Sequence, residues 1–132
     1  MALSKLGVKT TLVAGPTSIN FSKDLNVKKI INADEMMSAV QKLLPVDIAV
    51  CAAAVSDFKP KNKYKQKIKK NNKNFNALNL EKNKDILEYF CKNNKQRPKL
   101  VVGFSAETEN LIENSTQKLK QKYCDMIIAN DV

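Results

Sequence analysis

Residues 47–55 read "DIAVCAAAV", and this stretch decides the fold. After one aspartate it runs apolar or small to its end. A strand with one wet face alternates between apolar and polar residues. A strand of a parallel sheet, covered by crossover helices, reads instead as a continuous apolar run. The stretch is far short of the roughly 20 apolar residues a membrane-spanning helix needs. A buried parallel strand is therefore expected here. Runs of similar character stand on both sides of it: "VKTTLVAG" (8–15) and "NVKKIIN" (26–32) before, "KLVVGF" (99–104) and "DMIIAN" (125–130) after.

Between these runs the spacing turns helical. From Ala33 the apolar positions are Met36, Met37, Val40, Leu43 and Leu44, with Asn32 and Glu35 placed to cap the start and Pro45 to mark the end. Ile86, Leu87, Phe90 and Cys91 share one face of a second helix, which stops before Pro98. A third puts Leu111, Ile112, Ser115 and Leu119 on its inner face. Residues 56–76 are polar, basic and aperiodic and read as a long loop, and "ALNL" (77–80) as a short strand. Alternating strands and helices predict an α/β fold: a Rossmann-like open, mostly parallel sheet with helices on both faces and right-handed crossovers. The 132 residues make one domain, with no internal repeat and no linker.

Composition narrows the function. Apolar residues make up 43% of the chain, an ordinary share for a domain that buries a core. No apolar run is long enough to span a bilayer, and the first residues lack the h-region of a secretory signal, so a cytoplasmic protein without membrane contact is expected. Cys51, Cys91 and Cys124 lie far apart in sequence, form no CxxC and have no histidine to complete a zinc site. Each falls in an apolar segment and reads as a buried small hydrophobe in a reducing compartment.

The formal net charge is +10, which suits an anionic partner. Its distribution is uneven: "KYKQKIKK" (63–70) holds five lysines, and from Lys59 to Lys73 there are eight lysines and no acidic residue. Arg97 is the only arginine among 23 basic residues. Arginine is the better fork for bases and phosphates, and the few aromatics do not interleave with the lysines. Both features disfavour nucleic acid as the partner.

In open parallel sheets, ligands bind beyond the carboxyl ends of the strands. The segments expected there are "AGPTS" (14–18), "AAAVSDF" (52–58), "GFSAET" (103–108) and "AND" (129–131). Their small and turn-forming residues let a ligand approach the backbone, and one of them leads into the lysine run. Four strand ends and one basic loop are thus expected to converge on one cleft for a nucleoside triphosphate or another phosphorylated molecule.

"TLVAGPTS", "AAAVSDFKP", "KIKK", "KNKDIL", "VGFSAET" and "KLKQKYCDMIIANDV" occur in the order, and near the spacing, of phosphopantothenate–cysteine ligase, the synthetase part of the bacterial bifunctional coenzyme A biosynthesis protein. The chain resembles that family over nearly its whole length. The resemblance implies use of CTP and Mg²⁺ to join 4′-phosphopantothenate to L-cysteine. A carboxylate attacks the α-phosphate of CTP to give an acyl cytidylate and pyrophosphate; the amine of cysteine then attacks the acyl carbon and CMP leaves. Fixed cations are needed where an anionic carboxylate meets a triphosphate, and lysine suits a loop that closes over bound ligands.

The same resemblance assigns residues. Lys67, in the "KxKK" motif, would stabilise charge in the cytidylate step. Ala53 and Ala54 would leave room for a ligand, or else serve strand packing only. Asp57 would accept from the cytosine amino group or help to hold Mg²⁺, or else cap a turn. Phe104, in "GFSAET", would pack against base or ribose, or else in the core, and exposed amides where that motif opens a helix would cradle phosphate. Lys118 and Lys122, four apart on one helix face, would reach the triphosphate, or else form an ordinary charged helix face. Asn130 would contact the base, or else serve a turn only.

The family pattern also implies a homodimer and, in the parent protein, a decarboxylase domain. It includes a Gly-rich first strand with a functional Asn before the segment matched here, and further strands after it. Expected, then, is a synthetase-type domain lacking those end pieces. Two other readings stay open: a CTP-binding remnant without chemistry, and a basic module for nucleic acid, which predicts affinity falling steeply with salt.

Overall fold

The computed structural model describes residues 2–62, 64, 66, 67, 77–92 and 95–132. A single turn, α1 (Ala2–Lys5), leads to β1 (Thr11–Ala14) and β2 (Asn26–Lys29), then α2 (Ala33–Leu43) and β3 (Ile48–Cys51). Two three-residue strands follow, β4 (Phe58–Pro60) and β5 (Leu80–Lys82). The chain closes with α3 (Ile86–Lys92), β6 (Leu100–Glu107), α4 (Leu111–Lys122) and β7 (Met126–Asp131).

Every long pairing is parallel. β1 pairs with β2, Thr11 opposite Asn26. β6 is flanked by β3 and β7, with Val102 opposite Val50 on one side and Met126 on the other. Among the described residues only β4 and β5 run antiparallel, as a two-stranded ribbon with Lys59 opposite Glu81. Strand–helix alternation thus produces the parallel α/β architecture that the apolar runs predict.

α2 forms where its cap stands. The Asn32 side chain accepts from the Glu35 amide at 2.9 Å, and a Glu35 carboxylate oxygen accepts from the Ile31 amide at 2.9 Å. Orphan donors at both sides of the helix start are satisfied this way. Met37 and Val40 point inward and meet Ala49 of β3, Val101 of β6, and Ile86, Phe90 and Cys91 of α3 in one core. Gly103 allows the close fit of α3 on β6: a Cβ there would stand 2.8 Å from Leu87 Cδ2 and 2.7 Å from Ile127 Cδ1.

The three cysteines, distant in sequence, converge on this core. Cys51, Cys91 and Cys124 are free thiols, with the Cys91 and Cys124 sulfurs 3.7 Å apart. Burial pushes the Cys91 thiol up to about 12 and Cys51 up to about 11, so both stay protonated and behave as small apolar groups.

Three expectations need correction. Residues 56–76 are not loop throughout, because Phe58–Pro60 pairs with Leu80–Lys82, a strand that shares only Leu80 with "ALNL". Ile112 is 75% exposed rather than inward. Leu111, Ser115 and Leu119 follow the helical repeat toward the sheet, whereas Ile112 stands about 100° further round. Finally, the run at 47–55 is strand only to Cys51, and within it Ala49 is buried while Ile48 and Val50 are exposed.

Candidate active site

A cavity of about 610 Å³ opens beyond the carboxyl ends of β1, β2 and β3. Its walls are residues 14–17 after β1, 30–34 at the start of α2, 53–56 after β3 and 58–60 in β4, with Met36 and Asn83. Two of the four expected strand ends meet there, "AGPT" and "AAVS". Ala53 and Ala54 form part of its wall, and their methyl groups leave the backbone approachable.

The cavity wall is mostly apolar and carries the Lys59–Asp34 ion pair. Lys59 Nζ lies 2.6 and 2.8 Å from the two Asp34 carboxylate oxygens, and 3.6 Å from Glu81. Asp34 sits in the first turn of α2, where the helix dipole favours negative charge. The hydrogen bond from Lys59 to Asp34 raises the lysine's pKa, keeping it cationic. At the cavity edge Asn83 donates to Ser56 O at 2.8 Å, and its own oxygen is buried without a partner among the described residues.

Asp57 lies between β3 and β4, exposed and just outside the cavity wall. Its backbone carbonyl accepts from the Asn83 amide at 2.8 Å. Among the described residues no hydrogen bond or ion pair holds its carboxylate. Lys67 is exposed and stands in the connection between β4 and β5. The remainder of its motif, Ile68, Lys69 and Lys70, lies outside the described residues, as does the rest of the lysine run to residue 76.

Phe104, Lys118, Lys122 and Asn130 belong to the β6–α4–β7 unit and do not line the cavity. Phe104 is half-buried within β6, and its carbonyl accepts from Lys118 Nζ at 2.7 Å. Lys122 is paired with Asp85 at 2.8 Å and Glu88 at 3.5 Å, joining α4 to α3. The bond to Asp85 raises the Lys122 pKa. Burial alone would raise the Asp85 carboxyl, but the Glu88 amide and the Lys122 ammonium outweigh it and hold that pKa below its ordinary value. Asn130 is exposed near the end of β7, opposite Ala106.

The reading of "GFSAET" as a strand end that opens a helix is corrected. Gly103 to Glu107 are the second half of β6, paired with β7 from Val102 to Glu107. Gly103 and Ser105 are buried and stand opposite Ile127 and Ala129 of β7, within the sheet and not at a strand end. α4 begins only at Leu111, after Asn110 in a left-handed conformation without a side-chain cap. Sequence reasoning also passed over Asp34, Lys59 and Asn83 as cavity residues. Lys59 was submerged in the lysine count, and Asp34 needed the non-local pairing of β4 with β5 to acquire its partner.

Comparison with known proteins gives this geometry its context. The chain is 42% identical over 130 residues to the coenzyme A biosynthesis bifunctional protein CoaBC of Borreliella burgdorferi, covering 97% of this chain and 33% of that protein. It is 38% identical over 133 residues to a cysteine/cysteine sulfinic acid decarboxylase from an unknown prokaryotic organism, covering 99% and 36%. Its fold superimposes on the crystal structure of the C-terminal domain of a coenzyme A biosynthesis bifunctional protein CoaBC with a TM-score of 0.82 at 32% identity, covering 98% of this chain and 60% of that one. The chain spans about a third of the length of the curated relatives it matches. Residues 1–132 match one family along their whole length, and the chain belongs to it: DFP, the DNA/pantothenate metabolism flavoprotein C-terminal domain.

Proposed function

We propose that this chain serves coenzyme A biosynthesis as the nucleotide-handling part of a phosphopantothenate–cysteine ligase. The observation that carries the proposal is the 42% identity, across 97% of the chain, to a protein named for coenzyme A biosynthesis. The cavity at the strand ends, with Ala53 and Ala54 in its wall, supports it.

In this reading the carboxylate oxygen of 4′-phosphopantothenate bonds to the α-phosphorus of CTP as pyrophosphate leaves. The amine of L-cysteine then bonds to the acyl carbon and CMP leaves. Ala53 and Ala54 admit the acid substrate close to the backbone. Lys67 offsets the charge that gathers at the α-phosphate. Phe104, Lys118, Lys122 and Asn130 serve the nucleotide. For the two lysines this means exchanging present partners, Phe104 O and the Asp85/Glu88 pair, for phosphate oxygens.

Among the described residues no three His, Cys, Asp or Glu side chains gather to hold a metal ion. That donor set fits Mg²⁺ only as an ion carried by the triphosphate, with one carboxylate assisting, a common arrangement for this metal. Asp57, whose carboxylate has no partner among the described residues, is the residue that would assist. Bound there, the ion would neutralise phosphate charge. A homodimer and a decarboxylase domain in the parent protein belong to the same proposal.

The test mixes the chain with CTP, Mg²⁺, 4′-phosphopantothenate and L-cysteine and measures pyrophosphate. Release with CTP well above that with ATP is the expected result. Saturable CTP binding without pyrophosphate would reduce the reading to a nucleotide-binding module. Binding to single-stranded nucleic acid that falls steeply with salt, with no preference among nucleotides, would replace it.

A further inference from the structure

The β4–β5 ribbon has little to hold it in place. Each strand has three residues, neither pairs with another strand among the described residues, and a lone two-stranded ribbon is marginal in water. It contributes nothing to the core: Phe58 and Pro60 are exposed, as are Leu80, Glu81 and Lys82. Its backbone hydrogen bonds run between its own two arms, Lys61 amide to Asn79 O at 2.9 Å and Asn83 amide to Asp57 O at 2.8 Å, and Ser56 Oγ donates to Phe58 O at 2.8 Å at its base. Lys59 alone turns inward, its side chain 23% exposed, and grips both oxygens of Asp34 on α2.

We infer that Lys59 and Asp34 form a tether that fixes the ribbon against the cavity wall, and that they are positioning residues for the segment between β4 and β5 that carries Lys67. The tether itself stands on geometry; only the use made of Lys67 rests on the ligase reading. The ion pair is part-buried and made to both oxygens, the arrangement in which a charged hydrogen bond holds best. Glu81, opposite Lys59 on β5, adds a second carboxylate that keeps the ammonium on this side of the ribbon.

The test compares the whole chain with its Asp34→Asn, Lys59→Met and Lys59→Arg variants and the Asp34→Asn/Lys59→Met pair. The Lys61 and Asn83 amides report the ribbon by hydrogen exchange; Leu100 and Asp125, bonded in the three-stranded sheet, report the body. Both single losses of the pair should speed ribbon exchange on the order of tenfold, with the double variant no faster. Lys59→Arg should restore slow exchange, and the body amides should not change. A second reading uses a spin label on Lys67→Cys, which labels selectively because the native thiols are buried or half-buried and shifted upward. Its relaxation pattern on Ala54 and Ser56 should change when the pair is broken. Equal exchange in all variants, acceleration shared by the body amides, additive losses, or a label pattern indifferent to Asp34→Asn would each overturn the inference. None of these readings needs a ligand, so failure of the pyrophosphate assay is a separate result.

Discussion

Asp125 offers the sharpest test of how the three-stranded sheet is held. Its carboxylate accepts from the Val101 amide at 2.7 Å and from Arg97 Nη2 at 3.0 Å to each oxygen. Val101 is wholly buried, so replacing Asp125 with alanine strands a buried N–H, which costs about 1–3 kcal/mol. Arg97 loses less. It also donates to the carbonyls of Cys91, Pro98 and Tyr123, and its ion pair is about a third exposed on both sides, worth at most about 1 kcal/mol. Asp125→Ala should therefore lose about 2–3 kcal/mol in urea denaturation followed by circular dichroism. Asp125→Asn, which keeps an oxygen for the Val101 amide, should lose about 1 kcal/mol. The pH dependence gives a second check. Burial would raise the Asp125 carboxyl, but Arg97 and the Val101 amide together hold it below its ordinary value. A depressed folded pKa means the contribution is whole above the unfolded value, about 3.9, and is lost as pH falls through the folded one. The gap between wild type and Asp125→Asn should thus narrow below about pH 4 and hold constant from there to neutrality. Equal losses for alanine and asparagine, or a gap that widens on acidification, would refute the reasoning.

The remaining predictions concern the cap, the packing, the cysteines and the proposed chemistry. Glu35→Ala should cost about 1 kcal/mol in the same urea experiment, because Glu35 satisfies the Ile31 amide and orients Asn32. Gly103→Ala should overpack the α3–β6 contact and lose about 1–3 kcal/mol, seen as a lower melting temperature, with Leu87→Ala partly restoring it. Iodoacetamide at pH 8 should leave Cys91 unmodified in the folded chain and alkylate it in urea, by mass spectrometry. Lys67→Ala should cut pyrophosphate release on the order of 10²–10³-fold with little change in folding, since its side chain is exposed.

What the sequence made legible was whatever depends on local chemistry. The cap at Asn32 and Glu35, the inward face Ile86–Leu87–Phe90–Cys91 and the positions of the parallel strands follow from residue type and period, and the structure has each of them. What stayed illegible depends on partners distant in the chain. Three residues at 58–60 carry no period and become a strand only because 80–82 pairs with them. "GFSAET" was read as a strand end because its small residues suit a phosphate cradle. β7 pairs all along it and makes it ladder, and Gly103 is needed for Leu87 and Ile127. The apolar run at 47–55 ends as strand at Cys51, where its pairing with β6 ends. The site was half legible for the same reason. Ala53 and Ala54 follow directly from a strand end, whereas the Asp34–Lys59 pair joins residues 25 apart through a ribbon that had not been foreseen.

The distribution of charge then bears on how two anionic substrates could share this surface. The positive excess is large, yet at the cavity wall it is cancelled: Lys59 faces Asp34 there, and Glu81 stands close behind. Lys122 is likewise matched by Asp85 and Glu88, and Lys92 by Glu88. A cavity that is near neutral and mainly apolar favours the uncharged body of a substrate and does little for a triphosphate, because burying unpaired phosphate charge costs more than a single matched pair returns. For the triphosphate of the proposed reaction, countercharge would therefore come from outside the cavity wall. The sequence places it in the segment from Lys61 to Lys73, where seven lysines follow one another without an acidic residue. In that reading the apolar cavity and the lysine-rich stretch that follows β4 in sequence divide the task between shape and charge. On that division, neutralising Lys67 should weaken the response to nucleotide far more than to the acid substrate, whereas filling the cavity, as with Ala54→Leu, should do the reverse. The ratio of the two Michaelis constants in these two variants measures the division directly, and parallel changes in both would show that one continuous site serves both substrates.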